Sequence, residues 1–191
     1  THCVWVDRII VDNDSLFISG AFANAGDLGL YCLAKWHNYE WYNLGLTSAN
    51  DDIYDLIKYD NKLFAGGGGT WYPNYNEDLK YLCYWDGSTW DRPGEVRDAG
   101  QVNGFIEYRD TLFLCGRFTG LGGVYGKSVK AYYNNEYIYI GDLNVAQATT
   151  YAVYNDELLV GTHYLGLYKR VGLSRWEREP RGPNGTIEAM T

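Results

Sequence analysis

The feature that most constrains this chain is a short apolar stretch that keeps returning. Ser15-Leu16-Phe17-Ile18-Ser19-Gly20 comes back as Lys62-Leu63-Phe64-Ala65-Gly66-Gly67, as Thr111-Leu112-Phe113-Leu114-Cys115-Gly116, and as Glu157-Leu158-Leu159-Val160-Gly161. Phe17, Phe64, Phe113 and Leu159 stand 47, 49 and 46 residues apart. Regular recurrence at this period is the mark of a repeat architecture, in which each unit is one supersecondary element that its neighbours complete.

The columns before the stretch align without gaps. Ile9–Leu16, Leu56–Leu63, Phe105–Leu112 and Tyr151–Leu158 each read as a strand, an Asn/Asp turn and a second strand. Asn and Asp tolerate positive φ and bond to their own backbone, which suits a tight hairpin. Asp12-Asn13-Asp14 is read as such a turn and not as a calcium loop, because it lacks the Gly and the distal Glu of an EF-hand. A variable, Gly-rich segment follows in every repeat, and such insertions gather on one face of a repeat fold, often the binding face. A second hairpin then closes each unit. Trp36 and Trp41, Trp85 and Trp90, and Tyr132 and Tyr137 are each five residues apart, with turn residues between them. Gly45, Gly94 and Gly141 each follow four residues later, whereas repeat four lengthens the turn between Tyr168 and Trp176 and displaces its Gly to Gly182.

The expected fold is all-β, with four-stranded antiparallel sheets. Aromatics at 17% and 23 Gly agree with pleated, half-buried surfaces joined by tight turns. One such sheet cannot cover both of its faces, so the repeats must stack. Four-stranded units of ~40–50 residues are the signature of a β-propeller blade. The expected blades are 4–46, 52–94, 102–143 and 149–182, with 185–191 as the opening strand of a next or closing blade. Trp and Tyr pairs are expected to fill the gaps between blades, each ring burying ~150–250 Å².

At these residues the chain resembles known repeats. Leu63-Phe64-Ala65-Gly66-Gly67 with Tyr81, Trp85 and Trp90 resembles a kelch-type blade, as in the central domain of galactose oxidase. Gly20-Ala21-Phe22-Ala23-Asn24-Ala25-Gly26 with Ala34-Lys35-Trp36 is similar to the G-x-F-x-x-A-G…A-x-W repeats of secreted or surface propellers of bacteria and large viruses. The resemblance implies a propeller. It implies no activity, because propellers host many functions.

Charge and motifs exclude some classes. A net charge of −8 with scattered Lys and Arg argues against a nucleic-acid partner. No apolar run approaches the ~18 residues of a spanning helix, and residues 1–11 carry no h-region of a cleavable signal. The chain is expected to start inside a strand, as a mature form or an excised segment. Cys3, Cys32, Cys83 and Cys115 form no C-x-x-C, so no structural zinc site is expected, and both disulfides and buried thiols stay open. Asn13-Asp14-Ser15 and Asn184-Gly185-Thr186 are glycosylation sequons, which permit an extracellular or particle-surface location.

No G-x-S-x-G, H-E-x-x-H or P-loop occurs, and the three His, at positions 2, 37 and 163, fall in unrelated parts of the repeat. No catalytic residue, metal or cofactor is therefore expected. The expected function is a non-catalytic interaction or structural module whose loops face a protein or glycan, with further blades from a parent chain or another subunit as another partner. The candidate binding residues are Trp71, Tyr72, Tyr75, Arg117, Tyr125, His163 and Tyr164, since loop aromatics make rigid anchors. A lectin and a fragment of a galactose-oxidase-like enzyme are the alternatives. One sugar site per blade would need the same polar and aromatic set in each, and these loops differ too much in length.

Overall fold

The computed structural model describes residues 5–74, 77–94, 96–97 and 100–190. No helix occurs among them, and the strands pair antiparallel. Each repeat is one sheet whose four strands lie in chain order. Sheet 1 holds β1 (Trp5–Asp12), β2 (Ser15–Ala21), β3 (Leu33–His37) and β4 (Glu40–Tyr42). Sheet 2 holds β5 (Ile53–Tyr59), β6 (Lys62–Asn74), β7 (Glu77–Trp85) and β8 (Trp90–Asp91), and Ser48–Ala49 adds to the far end of β6. Sheet 3 holds β9 (Gln101–Tyr108), β10 (Thr111–Arg117), β11 (Val129–Tyr133) and β12 (Glu136–Ile138). Sheet 4 holds β13 (Ala148–Tyr154), β14 (Glu157–Thr162), β15 (Gly166–Val171) and β16 (Arg175–Arg178).

The turn residues take the conformation their chemistry favours. Asp60 and Asn61, Arg109 and Asp110, and Asn155 and Asp156 all have φ between 49° and 59°. Two successive positive φ values make a type I′ turn, which matches the twist of the flanking strands. Asn38 and Tyr39, and Asn134 and Asn135, repeat this in the outer hairpins. In sheet 2 the outer turn is built differently. The Asp86 carboxylate accepts the amides of Ser88 and Thr89, both at 2.8 Å, and these bonds hold its pKa down to about 2.

A β-bulge recurs at the same place in all four sheets. The pairing of first and second strands slips between Val6 and Arg8, Ile53 and Asp55, Val102 and Gly104, and Ala148 and Thr150. The extra residues are therefore Asp7, Tyr54, Asn103 and Thr149, which follow the spacing of the sequence repeat. Opposite the bulge the backbone of the first strand crowds the second. A Cβ at Gly20, Gly67 or Gly116 would stand 2.3, 2.1 or 2.3 Å from the carbonyl oxygen of Trp5, Asp52 or Gln101. Only glycine fits such an approach. Sheet 4 has Thr162 in this column.

The chain divides into two compact units, Thr1–Arg92 and Pro93–Thr191. In the first, the face of sheet 1 that carries Phe17 and Leu33 packs on the face of sheet 2 that carries Ile53, Leu56, Leu63 and Cys83. In the second, the face of sheet 3 with Phe113, Cys115 and Val129 packs on the face of sheet 4 with Tyr151, Leu158 and Val160. Both units thus use one rule: the forward face of one sheet meets the rear face of the next. The aromatic pairs lie in register, Trp36 opposite Trp41, Trp85 opposite Trp90 and Tyr132 opposite Tyr137, with ring centroids 4.9, 5.6 and 5.1 Å apart. Trp85 and Trp90 belong to the seam of the first unit, and Tyr168 and Trp176 to that of the second.

Two expectations are corrected. The Gly-rich segment of repeat two is not a loop, because β6 and β7 run on as one long hairpin through Trp71 and Leu79. The expected strand at 185–191 is not formed over 185–190, which carry no ladder; Thr191 lies outside the described residues. The segment is tied to the end of β14 by a bond from Ile187 N to Thr162 O at 3.2 Å. Pro183, which has no N–H to give a ladder, brings its carbonyl over Gly166 and steers the chain across the strand end.

Candidate functional site

The segments between second and third strands carry the candidate residues, and their positions differ sharply. Trp71 is fully buried in β6. Its indole N–H donates to Asp51 O at 3.0 Å, and its ring lies over Gly67, where a Cβ would meet it at 2.7 Å. Trp71 is thus a core residue and not an exposed anchor. Tyr72 is half-buried, and its carbonyl accepts both Thr47 N and Thr47 Oγ1. Tyr75 lies outside the described residues.

The second unit holds the exposed candidates. Arg117 ends β10 with its side chain exposed, and Tyr125 is exposed in a short ribbon formed by Gly120–Leu121 and Val124–Tyr125. The loop between them is held by its own backbone: Gly126 N donates to Thr119 O at 3.0 Å and Ser128 N to Phe118 O at 3.1 Å. Phe118 is buried beneath it. Arg117, Thr119, Lys127, Ser128, Val145 and Ala146 line a cleft of about 260 Å³ there. Two cationic side chains on one small cleft with hydroxyls beside them fit a carboxylate or similar anion. In the tight turn of sheet 4, the rings of His163 and Tyr164 stack with centroids 3.8 Å apart. His163 N donates to Gln147 O and Tyr164 N to Thr186 Oγ1, so the pair is fixed from its backbone.

A second cleft, of about 320 Å³, opens in the first unit at the hairpin turns. Asp12, Ser15, Lys35, His37, Lys58 and Trp85 are among its walls and Phe17 lies at its floor. Lys58 pairs with Asp12 at 2.9 Å, and the Lys35 and Lys58 ammonium groups stand 5.8 and 5.7 Å from the Phe17 ring centre. His37 Nδ1 lies 3.0 Å from Asp14 O and 3.3 Å from Ser15 Oγ. A carbonyl only accepts, so Nδ1 carries the hydrogen and donates it there. It then has no lone pair to take the Ser15 proton, and the contact fixes a turn and does not activate a nucleophile.

A third cluster escaped the reading of the sequence. Burial raises the Asp7 carboxyl, and the Asp52 charge adds to it, against a lowering hydrogen bond from Trp5. Burial and then the Asp51 charge raise Asp52. Burial with these carboxylates pushes Tyr54 up to about 12 and Cys32 up to about 11. Asp7 and Tyr54 are both bulge residues, so the signal was the bulge column, which periodicity alone does not reveal. Among the described residues no three His, Cys, Asp or Glu side chains converge as a metal site. Cys32, Cys83 and Cys115 are buried.

No family model matches the sequence, and no curated protein matches it.

Proposed function

We propose that the chain is a β-propeller array of kelch-like blades that serves as a non-catalytic binding module for a protein or glycan. Four sheets of one strand order, one bulge position and one packing rule support the propeller reading. The observation that carries the functional reading is the Arg117–Lys127 cleft, on a loop held by main-chain bonds that also exposes the Tyr125 ring. A loop that presents two cations and an exposed aromatic suits a ligand that offers a carboxylate and an apolar face, such as an acidic saccharide or an acidic side chain. His163 and Tyr164 add a second stacked pair in the same unit.

The test is a screen of the wild-type chain on immobilised acidic and neutral glycans and on peptides rich in Asp and Glu. The expected result is binding to an acidic probe that Arg117→Ala/Lys127→Ala removes and Tyr125→Ala weakens at least about tenfold. Binding that survives the double substitution overturns the assignment of this loop.

A further inference from the structure

The four repeats let each sheet face be judged against its counterparts. On the rear faces that a seam covers, the first-strand positions are Ile53 and Leu56 in sheet 2 and Ala148 and Tyr151 in sheet 4, and all four are buried. Sheet 1 has Val6 and Ile9 there, and they are 48% and 58% exposed. Val11 on the same face is 73% exposed. Beyond them, Trp36 and Trp41 line an open groove with Leu28 and Tyr39, although Phe22 and Leu30 roof part of this side. Aliphatic residues at positions that are otherwise core, left in contiguous exposure, mark an interaction surface.

The forward faces show the complementary exception. Phe17 of sheet 1 and Phe113 of sheet 3 are buried in one column, and Leu33 and Val129 in the next. Their counterparts in sheet 4, Leu159 and Leu167, are only half-buried, and Tyr154 on the same face is exposed. The rear face of sheet 1 therefore lacks the cover that a seam gives the rear faces of sheets 2 and 4. Among the described residues, the forward face of sheet 4 has only Ile187 over Gly161 where a seam covers the forward faces of sheets 1 and 3. A hydrogen bond repeats the message. Trp90 and Trp176 each donate their indole N–H to a main-chain oxygen following the preceding sheet, Leu44 O and Ile140 O. Trp41 occupies the same column of sheet 1, and its indole has no hydrogen-bond partner among the described residues.

We propose that the rear face of sheet 1 is an interface for a second copy of this chain, which docks on it with the forward face of its sheet 4. The contact is head-to-tail and reproduces between copies the joint that each unit contains. Such a heterologous contact closes into a ring of copies when the rotation allows.

Sedimentation of the intact chain across about 1–100 µM tests this, a range that covers moderate interface affinities. The expected result is concentration-dependent assembly that Ile9→Lys weakens at least about tenfold, as for a residue central to an interface. Leu159→Lys weakens it equally, and Tyr154→Glu, at an exposed position, serves as a second variant whose folding is not at risk. Mixing Ile9→Lys with Tyr154→Glu chains restores one intact joint and a two-chain species. A wild-type chain that stays monomeric throughout overturns the proposal, as does assembly indifferent to Ile9→Lys. Assembly lost in Ile9→Lys yet unchanged in both sheet 4 variants overturns it too, because the occupant is then another rear face.

Discussion

The indole N–H of Trp90 donates to the main-chain oxygen of Leu44 at 2.6 Å, and both residues are buried. The bond crosses the seam between sheets 1 and 2, and Trp176 makes its counterpart to Ile140 at 3.0 Å in the second unit. Each joint thus combines apolar area with directed polar contacts, which include Arg8–Asp55 and Lys58–Asp12 in the first unit and Tyr151 Oη to Leu114 O in the second. The aromatic column fills the space between sheets, and the indole bond ties its rim to the chain that follows the preceding sheet.

Trp90→Phe keeps most of the ring volume and removes the donor. Leu44 O is then left buried without that hydrogen, which costs about 1–3 kcal/mol. The expected outcome is a loss of that size in denaturant unfolding of the first unit. Trp176→Phe is expected to cost less, because Trp176 is only half-buried and water can replace the donor.

The glycine column opposite the bulge gives a second prediction. Gly116→Ala places a methyl 2.3 Å from Gln101 O and 3.0 Å from Val102 Cα, both backbone atoms that cannot swing away. The strand pair must open, and the expected cost is at least about 3 kcal/mol, seen as loss of soluble protein or a large fall in the unfolding midpoint. Gly185→Ala meets nothing within 4 Å and is expected to be neutral in the same measurement.

These columns also show what the sequence makes legible. The Phe17 column, the Asn/Asp turns and the Trp pairs could be placed on strands and hairpins because period-2 patterning and turn chemistry are local. Trp71 is illegible as a core residue for a physical reason. Gly68-Gly69-Thr70 reads as loop, yet these glycines sit in a strand because other side chains cross it. A Cβ at Gly68 would stand 2.4 Å from the Tyr54 hydroxyl, and one at Gly69 would stand 2.3 Å from Asp51 Cβ. Glycine that makes room and glycine that makes a turn look alike in a sequence. The half-buried state of Trp36 was equally illegible, since it depends on which sheet lies behind. The Arg117–Lys127 cleft was half legible. Arg117 is legible as a candidate, but Lys127 joins it only through the loop that bonds Ser128 back to Phe118.

The acidic cluster predicts a pH dependence with a definite sign. The folded pKa of Asp52 is raised above its ordinary value, by burial first and then by Asp51. The folded state therefore holds the proton to higher pH than the unfolded chain does. Stability from this group is present at low pH and declines as pH rises through the folded pKa. Asp52→Asn removes the charge without changing the shape. It is expected to raise the melting temperature at pH 7 by on the order of 1–3 °C, and the gain should vanish near pH 3. A gain that persists unchanged at pH 3 would mean that the carboxylate charge is not the cause.

Lys130 gives the last prediction, with the opposite sign. It stands in an inward column of sheet 3, opposite Leu114, where other sheets place Ala34, Cys83 and Tyr168. It is fully buried, and its ammonium donates to Tyr125 O. Burial lowers its pKa to about 8, although Asp142 opposes the shift. The unfolded chain keeps its proton up to the ordinary Lys value, so between about pH 8 and 10 it binds more protons than the folded state. Stability from this group therefore rises with pH across that window, and below it the folded state must carry a buried charge. Lys130→Met removes the group and leaves Cys32, Cys83 and the buried tyrosines, whose titration is common to both proteins and cancels. The stability of Lys130→Met minus that of wild type is expected to fall steadily from pH 8 to pH 10. The total change is at most about 3 kcal/mol, the equivalent of a shift of about two units. A difference that stays flat across the window would show that Lys130 titrates in the fold as it does in water, which its burial beneath the Tyr125 loop does not permit.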